Sequence, residues 1–236
     1  MKSTSHFAMG HLLYAALENQ GIHLNRCAFI YGNIAPDYLP AMLLAPHFTR
    51  VCSKTIDELS QRLSAQPLCQ SQAVDAEYSK QLGRLCHFAC DYFCFAHSRD
   101  FSGSLKQHAV YENELDSFLR KNCLELLKLD GETAPLPYNC AALVSDLEKM
   151  KLQYLSVGFS PKNDLCFAFN ACLNTISGLV RLSRDLGRQQ QAKLSHDCNL
   201  NKGYARGDCY VFRMFLYKNR NRDVFFLPGL MEPLKD

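Results

Sequence analysis

Apolar residues recur at helical spacing along most of the chain, and the breaks between periodic stretches fall at glycine, proline and serine. Residues 6–20 predict a first helix, stopped by Gly21. A short helix over 25–31 runs into Gly32-Asn33-Ile34-Ala35-Pro36-Asp37, which its glycine and proline mark as a turn-rich loop. Another helix, 49–65, starts near Thr49 and fades before Pro67. The longest pattern covers 73–95 and sets Leu82, Leu85, Cys86, Ala89, Cys90, Phe93 and Cys94 on one broad apolar face. Ser102-Gly103-Ser104 breaks the chain before a helix over 105–128. Pro135 and Pro137 precede one over 139–154, and Ser160-Pro161 precedes one over 163–190. No repeat or low-complexity linker separates these elements. The pattern therefore predicts an all-α fold, a single multi-helix domain over 1–195 followed by a tail over 196–236. Within the tail, CYVFRMFLY at 209–217 and VFFL at 224–227 flank a polar stretch and predict a short β-hairpin.

Composition narrows the class. With 47% hydrophobic and 21% charged residues, the 236-residue chain is not a disordered polymer. A formal charge of +3, from 26 basic and 23 acidic side chains, is too small to argue for nucleic acid by itself. Mean hydropathy is −0.18, and no apolar run is expected to reach the ~18 residues of a membrane span. His6 and His11 interrupt what would be the apolar core of a signal peptide, so a cytoplasmic location is expected. The twelve cysteines then read as reduced thiols, many of them small hydrophobes in apolar segments. Arg206-Gly207-Asp208 spells an adhesion tripeptide and is taken as chance.

The chemistry lies in the histidines. His87 and Asp91 are four apart on the long helix, so both side chains emerge on one face; His108 and Glu112 repeat the spacing on the next helix, with His97 between them. One such pair is commonly a plain surface pair. Two consecutive pairs on apolar helices are a way to build a metal site in a bundle interior. Imidazole with carboxylate suits zinc better than magnesium or calcium, and a carboxylate can bridge two cations. Cys86, Cys90 and Cys94 form a stripe on one helix that cannot wrap a tetrahedral ion, which favours core packing for them.

LGRLCHFACDYFCFAHS followed by QHAVYENEL resembles the bacterial zinc-dependent phospholipase C family, whose signature is His-x3-Asp-x5-His and then His-x3-Glu. Upstream, Ser5-His6-Phe7-Ala8-Met9 is similar to the family's first-helix histidine element, and GNIAPDYLP and APHFTR supply Asp37 and His47. The resemblance implies an all-α domain around two or three zinc ions. Asp37, His47, His87 and Asp91 would hold one, and His97, His108 and Glu112 a second. Asp91 would bridge to a third, shared with His6 and the N-terminus. Clustered dications would lower the pKa of a bridging water toward ~7 and polarise a phosphodiester, with Asp37 as general base. Secreted members present an N-terminal tryptophan to the metal; this chain has no tryptophan, and Met1, Lys2 or a water would stand there. It also lacks the calcium-dependent lipid-binding domain of toxin members. His11, His23 and His196 are unassigned.

The function implied is a phospholipase C-like zinc phosphodiesterase acting on a phospholipid or related phosphodiester. Transient membrane-surface contact would go with it, and no stable nucleic-acid partner. A nuclease-like zinc phosphodiesterase and a non-catalytic zinc-binding helical module are the alternatives. Asp37 and Asp91 favour catalysis, because a closed structural shell has no use for a spare carboxylate at an open position.

Overall fold

Local chemistry sets where the helices begin and end. The computed structural model describes residues 1–38, 49–70, 73–127 and 139–201. Helix α1 (Ser3–Asn19) stops where Gly21 takes φ +74°, and Ile22 N–H then donates to Leu17 O while Gly21 N–H donates to Glu18 O. This Schellman pattern needs a residue free of the left-handed penalty. Asparagine and aspartate side chains cap three later helices by accepting a backbone N–H. Asn25 caps α2 (Arg26–Ile34), Asp75 caps α4 (Ala76–Tyr92) and Asn139 caps α6 (Cys140–Val157). Between them lie α3 (Thr49–Ser64) and α5 (Leu105–Leu127), and Pro161 opens the long α7 (Pro161–Asn201). Two 3₁₀ turns, Ala35–Asp37 and Phe95–His97, complete the elements. The fold is all-α, with no strand among the described residues.

Three expectations need correcting. Gly32 and Asn33 belong to α2 and not to a loop, and Pro36 sits in the 3₁₀ turn that follows. Gly32 is needed for packing: a Cβ there would lie 2.1 Å from Lys80 O, and one on Gly83 would lie 2.1 Å from Phe29 O. The two glycines let the backbones of α2 and α4 touch. Helix α7 runs from Pro161 to Asn201, well past the expected 190. Its portion Pro161–Ser195 is long and apolar enough to cross a membrane, contrary to the expectation that no stretch is. The reason is its core role: 61% of that apolar window is buried, including Leu165, Phe169, Ile176 and Leu179. The predicted hairpin over 209–227 and His47 lie outside the described residues.

Residues Met1–Gln190 form one compact unit, and the described part of the second, from Gln191, is the end of α7. In the first unit α4 is the central helix, with twelve of its 17 residues buried. It packs against α2 and α3, while α1 lies against α2 and α5. Met9, Leu13, Phe29, Leu82, Phe88 and Phe169 fill the space between them. Cys86, Cys90 and Cys94 are buried free thiols in this core, as the spacing suggested. Burial raises the Cys86 and Cys94 thiol pKa values, and the hydrogen bond with Cys172, followed by burial, raises that of Cys90, so all three pack as apolar groups.

Candidate metal centre

Five elements deliver the ligand-type side chains to one place. His6 comes from the first turns of α1, Asp37 ends the first 3₁₀ turn, and His87 and Asp91 project from one face of α4. His97 ends the second 3₁₀ turn, and His108 and Glu112 share a face of α5. The side chains gather into two triads, His6–His87–Asp91 and His97–His108–Glu112; within each, the ligand atoms lie within 4.8 Å of one another. The first triad is fully buried, and the second is half-buried.

Asp91 faces both. Its Oδ1 lies 3.3 Å from His6 Nε2 and 3.8 Å from His97 Nε2, and its Oδ2 lies 3.4 Å from His87 Nε2. The His6 and His87 rings stack with centroids 3.9 Å apart. Asp37 Oδ1 reaches to 3.8 Å from His87 Nε2. In the second triad, Glu112 Oε1 stands 3.2 Å from His97 Nε2 and 3.3 Å from His108 Nε2. The Met1 amino group sits between the triads, 2.5 Å from Asp91 Oδ1, 2.9 Å from His97 Nε2 and 3.2 Å from Glu112 Oε1.

One contact fixes the chemistry of His87. Its Nδ1 lies 2.9 Å from Asn33 O, and a carbonyl can only accept, so Nδ1 carries the proton and Nε2 turns its lone pair toward Asp91 and Asp37. The close approach at Gly32 and Gly83 brings that carbonyl within reach. Burial, helped by His6, pushes the His87 pKa down to about 3 against the pull of Asp91 and Asp37. Burial likewise lowers His6, against the pull of Asp91, and among the described residues neither of its ring nitrogens has a hydrogen-bond partner in good geometry. Burial also works to raise the Asp91 pKa, but His97, the Met1 ammonium and the two inner histidines outweigh it and hold the carboxyl well below the usual range. Glu112 is held down to about 2, against burial, by the His97 hydrogen bond and the Met1 ammonium.

The His87 Nε2 lone pair thus faces the Asp91 and Asp37 carboxylates, in a pocket where His6 and Glu112 crowd the same space. Acceptors crowded in this way are matched by cations, and the mixed nitrogen and oxygen donor set suits zinc. The residues present therefore fit a zinc centre. Asp37 Oδ2, buried and without a hydrogen bond, points to the same need. A surface cleft of about 470 Å³ lined by Met1, Lys2, Ser3, Thr4, Asp37 and Tyr38 opens beside this cluster.

Of the eight residues expected to ligate, seven come together; His47 lies outside the described residues. His11 turns away, with Nδ1 3.3 Å from Arg26 Nη2. His23 pairs locally, its Nδ1 3.0 Å from Glu18 Oε2, across the turn that ends α1. Sequence reading missed Asn33, whose contribution is a backbone oxygen and leaves no residue-type signal. It also missed Asp116, which accepts from Thr4 Oγ1 and Ser5 Oγ at 2.9 Å and so ties the start of α1 to α5. The 108–112–116 spacing on one face of α5 was the available clue.

An all-α bundle in which α1, the core helix α4, α5 and a 3₁₀ turn converge on two His/carboxylate triads has the architecture of a helical metal-binding protein. The model of a family described as zinc dependent phospholipase C matches residues 5–164, and the chain belongs to that family. No curated protein and no solved structure matches it. The matched segment contains all seven clustered residues.

Proposed function

We propose that this chain is a zinc-dependent phosphodiester hydrolase that cleaves a phospholipid or a related phosphodiester, and that the clustered residues hold its metal. The observation that carries the reading is the placement of Asp91 between two triads, with each carboxylate oxygen aimed at a different histidine of the inner one. His87 and Asp91, with Asp37 and His47, would hold one ion; His97, His108 and Glu112 would hold another; His6 and the Met1 amine would serve a third beside Asp91. Zinc in such a cluster supplies Lewis-acid charge for the phosphoryl oxygens and lowers the pKa of bound water.

The chain's own groups do the rest. Asn33 O keeps the His87 proton on Nδ1, so Nε2 of the neutral ring offers its lone pair to the metal site. Asp37 lines the cleft, and its carboxylate accepts the proton of the attacking water. Phe88, whose ring meets that of His87 edge-on with centroids 5.2 Å apart, is buried beside the inner triad and helps keep bulk water from it. The cleft mouth, with Lys2 and the exposed Tyr38, presents a cation and an amphipathic ring to an arriving phosphodiester.

The test is a metal count on purified protein together with hydrolysis of a phosphatidylcholine vesicle and of a small soluble phosphodiester. The expected result is two or three zinc ions per chain and hydrolysis that a chelator abolishes and zinc restores. Asp91→Asn is expected to lose zinc and activity together. Zinc bound without hydrolysis of either substrate would leave the non-catalytic module as the reading. Full zinc content in Asp91→Asn would sink the bridging role.

A further inference from the structure

Asp164 lies outside both triads, in the first turn of α7, and is fully buried. Its Oδ2 accepts two hydrogen bonds at 2.8 Å, from Phe95 N–H and from the Tyr111 hydroxyl. Its Oδ1 accepts a third, 2.7 Å from the Tyr154 hydroxyl. The Oδ2 donors belong to the two elements that carry the outer triad. Phe95 opens the 3₁₀ turn that ends at His97, and Tyr111 immediately precedes Glu112 on α5. One carboxylate oxygen therefore fastens the His97 turn to the Glu112 helix.

The surroundings are built to keep that carboxylate in place. Phe95 stacks on Phe159 with centroids 4.3 Å apart and meets Tyr111 edge-on at 5.4 Å. Lys151 of α6 is 7% exposed; its ammonium lies 4.4 Å from the Tyr154 ring centroid and donates to Tyr92 O at 2.5 Å. The Lys151 charge acts favourably on the Asp164 carboxylate and offsets part of the cost of its burial. If the site only needed filling, an apolar side chain of similar volume would serve at least as well. The specific gain from a carboxylate is that it accepts from several donors at once.

We propose that Asp164 is the positioning residue of the outer triad: it locks the Phe95–His97 turn to α5 so that His97 Nε2 and Glu112 Oε1 meet at 3.2 Å. Thr49 Oγ1 holds the far side of the same turn by donating to His97 O at 3.0 Å, so without Asp164 the turn can pivot about that contact. The inference rests on the reading of His97, His108 and Glu112 as metal ligands. Removal of an outer partner of metal ligands costs about 10–100-fold in metal affinity.

The experiment titrates metal-free full-length protein with zinc against a chromophoric chelator, with the helical circular dichroism signal and thermal melt recorded for each variant. Asp164→Leu fills the same space and accepts nothing; one zinc is expected to weaken by about 10–100-fold while the remaining zinc is unchanged. Asp164→Asn keeps one oxygen for Phe95 and Tyr111 and turns its amide to the Tyr154 hydroxyl, so it is expected to restore affinity to within about threefold of wild type. Tyr111→Phe, which cuts the α5 side, should weaken zinc by more than Tyr154→Phe, which touches neither ligand-bearing element. A folded Asp164→Leu with wild-type affinity for every zinc would overturn the proposal. So would equal losses in Tyr111→Phe and Tyr154→Phe, which also decides the matter if Asp164→Leu does not fold. Wild-type protein that binds no zinc would fell the metal reading itself and this inference with it, before any variant is made.

Discussion

Gly83→Ala sets two opposing effects against each other. Alanine inside a helix is favoured over glycine by about 1 kcal/mol, so propensity alone predicts a more stable protein. Contact predicts the reverse. The new Cβ would stand 2.1 Å from Phe29 O and 3.0 Å from Asn33 N, and both are backbone atoms that cannot rotate away. To reach an ordinary contact of ~3.4 Å, α2 must move off α4 by more than ~1 Å, and overpacking of this kind costs about 1–3 kcal/mol. The same shift loosens the 2.9 Å contact between His87 Nδ1 and Asn33 O, a hydrogen bond worth about 1 kcal/mol. The balance is a loss of about 2 kcal/mol, or a melting temperature lower by ~4–8 °C for a domain of this size. Zinc affinity should fall with it, because His87 loses the carbonyl that fixes its tautomer. Thermal and urea melts followed by circular dichroism, with zinc competition on the same samples, read both quantities. Gly10→Ala is the comparison: its Cβ would meet Ile30 Cδ1 at 3.2 Å and Asn33 Nδ2 at 3.3 Å, both side-chain atoms, and should cost less. A Gly83→Ala protein that melts at or above wild type, with zinc affinity unchanged, would refute the packing argument.

Asp37→Asn should lower turnover severely while most of the zinc stays bound, since His87 and Asp91 remain in place; near wild-type activity would exclude Asp37 as the base. Zinc at 100 times its dissociation constant should stabilise the metal-free protein by about 2.7 kcal/mol, and an unmoved melting curve would count against binding to the folded state. The metal-free protein should weaken in mild acid. His87 titrates near its ordinary 6.5 when unfolded but at about 3 when folded, so below pH 6.5 the unfolded chain binds the extra proton. Its contribution is complete above pH 6.5 and is lost at up to about 1.4 kcal/mol per pH unit as pH falls toward 3, with His6 acting in the same direction. Glu112 adds a lower window between its ordinary 4.5 and about 2. Urea midpoints that are equal at pH 7.5 and 5.5 would contradict this.

The part of the site legible in the sequence is the part written in helical spacing. His87 with Asp91 and His108 with Glu112 are four apart, and a helix turns such pairs onto one face whatever the rest of the chain does. The all-α fold was legible for the same reason. Gly32 was misread because a glycine near a proline signals a turn, whereas here its missing side chain serves a helix crossing that only the three-dimensional neighbour, Gly83, reveals. Asn33 O and Asp164 were invisible on different grounds. The first acts through the backbone, and the second takes its three donors from three separate elements. The apolar length of α7 was underread because single polar residues interrupt it, although an extended window through the bundle centre is mostly buried.

The two triads differ in how far apart the chain must reach to make them. His97 and Glu112 are separated by 15 residues, whereas His6 and Asp91 (91 − 6) are 85 apart. Closing the longer loop costs about 1.5 kcal/mol more in chain entropy, at ~0.6 kcal/mol per doubling of length. The short-range triad therefore closes at the lower entropic cost, once Asp164 has joined its turn to α5. The inner one must wait for the first helix to dock on the core. A metal ion captured early would enter through the outer triad, and the buried inner set would close last, sealing its ligands only when the bundle is complete.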